Sequence, residues 1–112
     1  MQICRVTEAD LIVYQGWGSC GEAAILIEEL LHLARYETRL AHFKENIIDH
    51  AWAEVRQNET WLIVDPWWLT SNGTLVEAIN LRNLIPVFRN ATGVEVQYPN
   101  GTVADASEEH GY

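Results

Sequence analysis

The spacing of apolar residues along this chain changes from a period near 3.6 to a period near 2. Over residues 20–35, Cys20, Ala23, Ala24, Leu26, Ile27, Leu30, Leu31, Leu33 and Ala34 fall in one half of a helical wheel. Glu22, Glu28, Glu29, His32 and Arg35 take the other half, and Ile25 is the exception. This predicts an amphipathic helix with its leucine-rich side buried and Cys20 at its first turn. Residues 6–14 read as a short helix or strand, and Gly16, Gly18 and Gly21 make an irregular approach to Cys20.

After Tyr36 the pattern turns to strand. YETRLAHF (36–43) reads as one strand, HAWAEVRQ (50–57) alternates, and TWLIVD (60–65) is nearly continuous apolar sequence closed by Pro66. Leu75–Val87 is apolar without a clear period. VEVQYPNGTVADA predicts a hairpin with a type I′ turn at Asn100-Gly101. A helix followed by short strands implies an α+β fold, with the helix packed on an antiparallel sheet.

Strands 50–57 and 60–65 are close enough to form a hairpin. A two-residue loop at Gln57-Asn58 pairs Arg56 with Glu59 and sets His50 directly opposite Asp65. A slip of two residues along the partner strand leaves them diagonal on the same face. An odd-length loop without a bulge puts them on opposite faces. Opposed residues on one face bring an imidazole within reach of a carboxylate.

Composition narrows the class. The 112 residues suit a single domain, and a hydrophobic content of 48% supplies a core. A formal net charge of −9 argues against nucleic acid and anionic membrane partners. No apolar run is long enough to span a bilayer. The start, MQICRVTEADLIVYQ, lacks a signal-peptide pattern, which points to a cytoplasmic protein. Asn58, Asn72, Asn90 and Asn100 each open an Asn-x-Thr triplet, leaving export of a parent protein open, although Asn and Thr also cluster in turns. Cys4 and Cys20 read as reduced thiols, since two cysteines do not make a disulfide scaffold.

A thiol at a helix start meets unpaired N–H groups and the positive end of the helix dipole, and both favour thiolate. His50, oriented by Asp65, is the base that takes its proton. The backbone N–H of Cys20 is an oxyanion donor. Candidates for the second donor are the Trp17 indole and the Tyr14 hydroxyl, and Trp52 is a candidate substrate wall. Each residue has a bland alternative: a packed core cysteine, a satisfied core histidine, a turn-capping aspartate.

GSCGEAA, then DHAWAEV, then WLIVDP resembles the transglutaminase-like core. That superfamily includes transglutaminases, bacterial and archaeal thiol peptidases, and peptide N-glycanases. The resemblance covers residues 16–68 of a single domain, 1–112. It implies a papain-like fold with a Cys-bearing N-terminal helix on the sheet, and a triad of Cys20, His50 and Asp65. It implies no cofactor and no metal. Only nineteen residues precede Cys20, there is no paired-cysteine zinc module, and nothing diagnostic follows Trp68.

The expected activity is hydrolysis of a peptide or protein amide through a thioester. The alternatives are acyl transfer to an amine and a non-catalytic interaction module that keeps the fold. A metal site using Cys20, His50, Asp65 and His42 has suitable ligand types for zinc but not the usual spacing. Oligomeric state is left open.

Overall fold

The computed structural model describes residues 19–44, 50–65 and 74–112, with the side chains of 19–22 excepted. Tyr14, Trp17, both cysteine side chains and the 6–14 segment therefore lie outside the described residues, as do Trp67, Trp68 and Asn72.

The architecture is α+β. Helix α1 (Ser19–Leu33) packs on a six-stranded antiparallel sheet. The strands are β1 (Thr38–Phe43), β2 (Ala51–Gln57), β3 (Thr60–Val64), β4 (Val76–Glu77), β5 (Val94–Gln97) and β6 (Val103–Asp105). They lie in the order β4-β3-β2-β1-β5-β6. The apolar 75–87 region resolves into the short β4 and 3₁₀ segments at Ala78–Asn83 and Pro86–Asn90.

Alternation divides the sheet into two unlike faces. Thr38, Leu40, Ala51, Ala53 and Val55 share the face under α1, where Ala24 and Ile25 join Leu40 in a small core. Alanines at 51 and 53 let the helix approach closely. The opposite face carries the larger core. There Ala41, Phe43, Trp52, Ile63, Val94 and Val96 pack against Leu81, Phe88 and Ala106 of the C-terminal 3₁₀ segments and loops. The rings of Phe43 and Trp52 meet edge to face at 5.1 Å.

Three sequence expectations need correcting. The helix is turned away from its leucine stripe: Leu26, Leu30 and Leu33 are 56%, 59% and 77% exposed, while Ile25 is buried. Glu28 faces the sheet because its Oε2 accepts a hydrogen bond from Thr38 Oγ1 at 2.8 Å, which fixes the helix rotation.

The second correction concerns the β2–β3 register. Gln57 pairs with Thr60 and Arg56 with Trp61, so the turn residues are Asn58-Glu59. Both have positive φ (52° and 67°), the signature of a type I′ turn. The partner is two residues further along β3 than a Gln57-Asn58 loop requires, and the faces are preserved.

The third concerns Asn100-Gly101. Tyr98 N–H donates to Thr102 O and Gly101 N–H donates to Tyr98 O, so the loop has three residues, Pro99–Gly101. Only Gly101 has positive φ, at 90°. Pro99 cannot adopt positive φ and favours the second position of an ordinary turn, which moves the left-handed residue one place on.

Helix α1 ends in a Schellman arrangement. Tyr36 N–H bonds Leu31 O at 3.1 Å, Arg35 N–H bonds His32 O at 2.9 Å, and Arg35 takes φ 70°. This turn returns the chain into β1, so α1 and β1 run in opposite directions.

Candidate active site

The β2–β3 hairpin places its two ends at the same edge of the sheet. His50 immediately precedes β2 and Asp65 immediately follows β3. The last ladder pair is Ala53 with Val64. Continued one step, that register sets Asp65 beside Trp52 and leaves His50 diagonal to it on the same face. The diagonal is closed by a hydrogen bond of 2.7 Å between His50 Nε2 and Asp65 Oδ2. A carboxylate only accepts, so Nε2–H donates.

Burial differs between the two partners. The Asp65 side chain is 3% exposed and that of His50 is 20% exposed. The carboxylate is thus enclosed while the imidazole keeps one side open. The Phe43 N–H reaches His50 O at 3.4 Å, which ties the end of β1 to the same corner.

Helix α1 starts at this same end of the sheet, on the face opposite the one that carries His50, Trp52 and Asp65. Glu28 bonds Thr38 at the start of β1, and Ala24 and Ile25 lie over Leu40 further along. From Glu28 back to Ser19 the helix covers roughly 13 Å. From Thr38 to Phe43 the strand covers roughly 17 Å. The helix therefore begins over the end of the sheet that carries His50 and Asp65, with the Cys20 backbone in its first turn.

Trp52, the candidate substrate wall, is a core side chain. It is 1% exposed, and its indole N–H donates to Glu54 Oε2 at 2.7 Å. Its ring stacks beside His50, with centroids 6.0 Å apart and planes 24° from parallel. Residues 50, 52 and 54 share one strand face, and that face is turned into the larger core.

Behind Trp52 lies a buried polar cluster that sequence reasoning missed. Arg39, Glu54 and His110 are all 0% exposed. Arg39 Nε donates to Glu54 Oε1 at 2.7 Å, and His110 Nε2 meets Glu54 Oε2 at 2.5 Å. Arg39 Nη1 also reaches Glu109 Oε1 at 2.8 Å and the Tyr98 hydroxyl at 3.3 Å. Its guanidinium stands 4.0 Å from the centroid of the Trp61 ring. His110 Nδ1 faces Ala106 O at 2.6 Å, so both ring nitrogens meet acceptors and the doubly protonated ring satisfies both.

Burial alone pushes the Glu54 carboxyl up. The His110 hydrogen bond, the charges of His110 and Arg39, and the Trp52 N–H together outweigh it and hold Glu54 below the usual carboxylate range. Burial opposes the Arg39 charge, but Glu54, Tyr98 and Glu109 reverse that and raise it. The sequence did contain a signal. Glu54 and Arg39 occupy alternating core positions of strands, where an isolated charge is too costly to bury unpaired.

The other candidate ligand, His42, bonds Phe43 O through Nδ1 at 2.9 Å and Glu95 through Nε2 at 3.2 Å, on β1 and β5. Among the described residues, no group of three or more His, Cys, Asp or Glu could hold a metal ion. None of their helices is long and apolar enough to cross a membrane. The chain matches no family model, no curated protein and no solved structure.

Proposed function

We propose that the protein is a thiol-dependent amide hydrolase of the transglutaminase-like type, acting through Cys20, His50 and Asp65. The observation that carries this reading is the 2.7 Å bond from His50 Nε2 to the enclosed Asp65, at the sheet end where α1 begins.

The bond selects a tautomer. With Nε2–H held by Asp65, the lone pair of the neutral ring is on Nδ1. Nδ1 is then the atom that takes the Cys20 proton. The thiolate attacks the amide carbonyl carbon, and the carbonyl electrons move to oxygen. The Cys20 backbone N–H, at the positive end of α1, stabilises that oxyanion. When the tetrahedral intermediate collapses, the C–N bond breaks and the His50 imidazolium gives its proton to the leaving amine. Asp65 stabilises the imidazolium between the two steps. Water, deprotonated by His50, then opens the thioester and releases the acid.

The test is acyl-enzyme trapping. Incubation with an activated ester is expected to add one acyl group at the Cys20 peptide, read by mass spectrometry, and His50→Ala is expected to abolish it. Absence of acylation at Cys20 in the wild type would refute a catalytic role. Adding a primary amine tells hydrolysis from transfer, because transfer yields the amide of that amine.

A further inference from the structure

We propose that Trp52 is a positioning residue for the His50 imidazole, held by a buried anchor of Glu54 and His110 that reaches it from the C-terminal 3₁₀ turn. The inference rests on the hydrolase reading for its purpose but not for its readout.

A hydrogen bond to Asp65 fixes one atom of the His50 ring and does not by itself set the plane of the ring against rotation about that bond. The Trp52 indole limits this rotation. It lies almost parallel to the imidazole, 24° off, at a centroid distance of 6.0 Å. A stacked plane can hold a ring only if it is itself fixed, and three restraints fix this one. Phe43 abuts it edge to face at 5.1 Å, and His110 at 6.1 Å. Its N–H is tied to Glu54 Oε2 at 2.7 Å.

Glu54 is in turn held through both oxygens. Its Oε2 also meets His110 Nε2, and its Oε1 accepts from Arg39 Nε. The charged groups around this carboxylate are Arg39 on β1 and His110 in the C-terminal turn, with Glu109 and Tyr98 bonded to the far side of Arg39. His110 is held by Ala106 O, and Glu108–His110 forms a 3₁₀ turn closed by Gly111 in the left-handed conformation. A path of direct contacts thus runs from His110 to Glu54, to Trp52, to His50. The chain separates its ends by sixty residues, yet both sit on one face of β2.

Core charge that serves stability alone has no need to grip an aromatic ring stacked on the candidate base. Here the same oxygen binds both the indole and His110.

The experiment follows the ring nitrogens of His50 by ¹⁵N-edited NMR across a pH series, in wild type, Trp52→Phe and His110→Gln. Trp52→Phe keeps an aromatic ring in the core and removes the N–H tether. His110→Gln leaves Trp52 intact and loosens its anchor from a distance. In both folded variants the Nε2–H tautomer of His50 is expected to lose population, read as a change in its two ring-nitrogen shifts. Rescue is expected in His110→Lys, which restores a cation to Glu54. Unchanged nitrogen shifts in the folded variants would overturn the proposal. If Trp52→Phe does not fold, His110→Gln decides by the same criterion, and if that also fails to fold, the anchor is structural and the proposal is wrong. The signal does not require Cys20 to react, so failure of the hydrolase reading would be seen separately, as a wild type that forms no acyl-enzyme.

Discussion

Of the three histidine–carboxylate pairs among the described residues, His50–Asp65 and His110–Glu54 have opposite character. His50–Asp65 lies at an end of the sheet, with its carboxylate enclosed and its imidazole 20% exposed. His110–Glu54 lies in the core, with both side chains 0% exposed and the carboxylate also bound by Arg39 and Trp52. The chemistry of the partners is the same. In the core pair both His110 nitrogens are committed to Glu54 and Ala106. A ring with both nitrogens committed cannot pass a proton to a third group without breaking a bond, whereas a ring at a sheet edge can be approached. Sealing suits one pair to be an anchor, and partial exposure suits the other to the base role proposed for it.

The largest expected effects separate the pairs by what they change. His50→Ala should reduce acylation of Cys20 by an activated ester about 10²–10⁴-fold, the range for losing a general base. Its unfolding free energy should fall by clearly less than that of Glu54→Ala, because removing the partly exposed imidazole opens Asp65 to water rather than stranding it in the core. Asp65→Asn should follow with a smaller loss of acylation. Glu54→Ala should do the reverse. It strands the buried Arg39 charge, and urea unfolding should show a loss of about 3–5 kcal/mol. Equal loss of stability in His50→Ala and Glu54→Ala would erase the distinction.

An intermediate effect appears in acid. The folded-state carboxyl of Glu54 is held below its ordinary value of 4.5 despite its burial, by His110, Arg39 and Trp52. A lowered carboxylate value means that the unfolded chain binds the proton more readily. Its stabilisation is therefore complete above about pH 4.5 and is lost as pH falls through the lower folded value. Thermal midpoints of the wild type should fall on acidification below pH 4.5, and those of Glu54→Gln should fall less steeply. Parallel curves would show that Glu54 is not the group responsible.

The smallest effects act as controls that spare both pairs. Arg35 and Glu59 hold φ near 70° without being glycine. Arg35→Gly and Glu59→Gly should each stabilise by roughly 1 kcal/mol, the cost of a left-handed side-chain residue. The second creates the Asn-Gly pair that type I′ turns favour. Neither should alter acylation. A stability loss in urea would mean that these side chains make contacts that outweigh their backbone strain.

How much was legible in the sequence depended on the range of the forces involved. Helical period located α1 to within two residues at its C-terminus, and the strand pattern after Tyr36, alternating in β2 and nearly continuously apolar in β3, located β1, β2 and β3, because local pattern encodes burial. Face preservation through any even loop is why His50 and Asp65 meet as expected although the register is shifted by two. The rotation of α1 was not legible. Leu26, Leu30 and Leu33 are more apolar than Glu28, yet the bond of Glu28 to Thr38 and the close approach over Ala51 and Ala53 decide which side faces the sheet. The Pro99–Gly101 loop is not encoded by Asn-Gly alone, because the proline before it sets the turn. Arg39–Glu54–His110 escaped because its members are distant in sequence and only the topology joins them. The Cys20 backbone lies in the first turn of α1, and the state of its thiol is read most directly by measuring its alkylation.

That measurement is the rate of iodoacetamide alkylation at the Cys20 peptide across pH, in wild type and His50→Ala. A thiolate–imidazolium pair predicts a wild-type rate that reaches its plateau well below the free-thiol value of about 8.5, and a His50→Ala rate that rises only near it. Wild-type and variant curves that coincide, both rising near 8.5, would contradict the account.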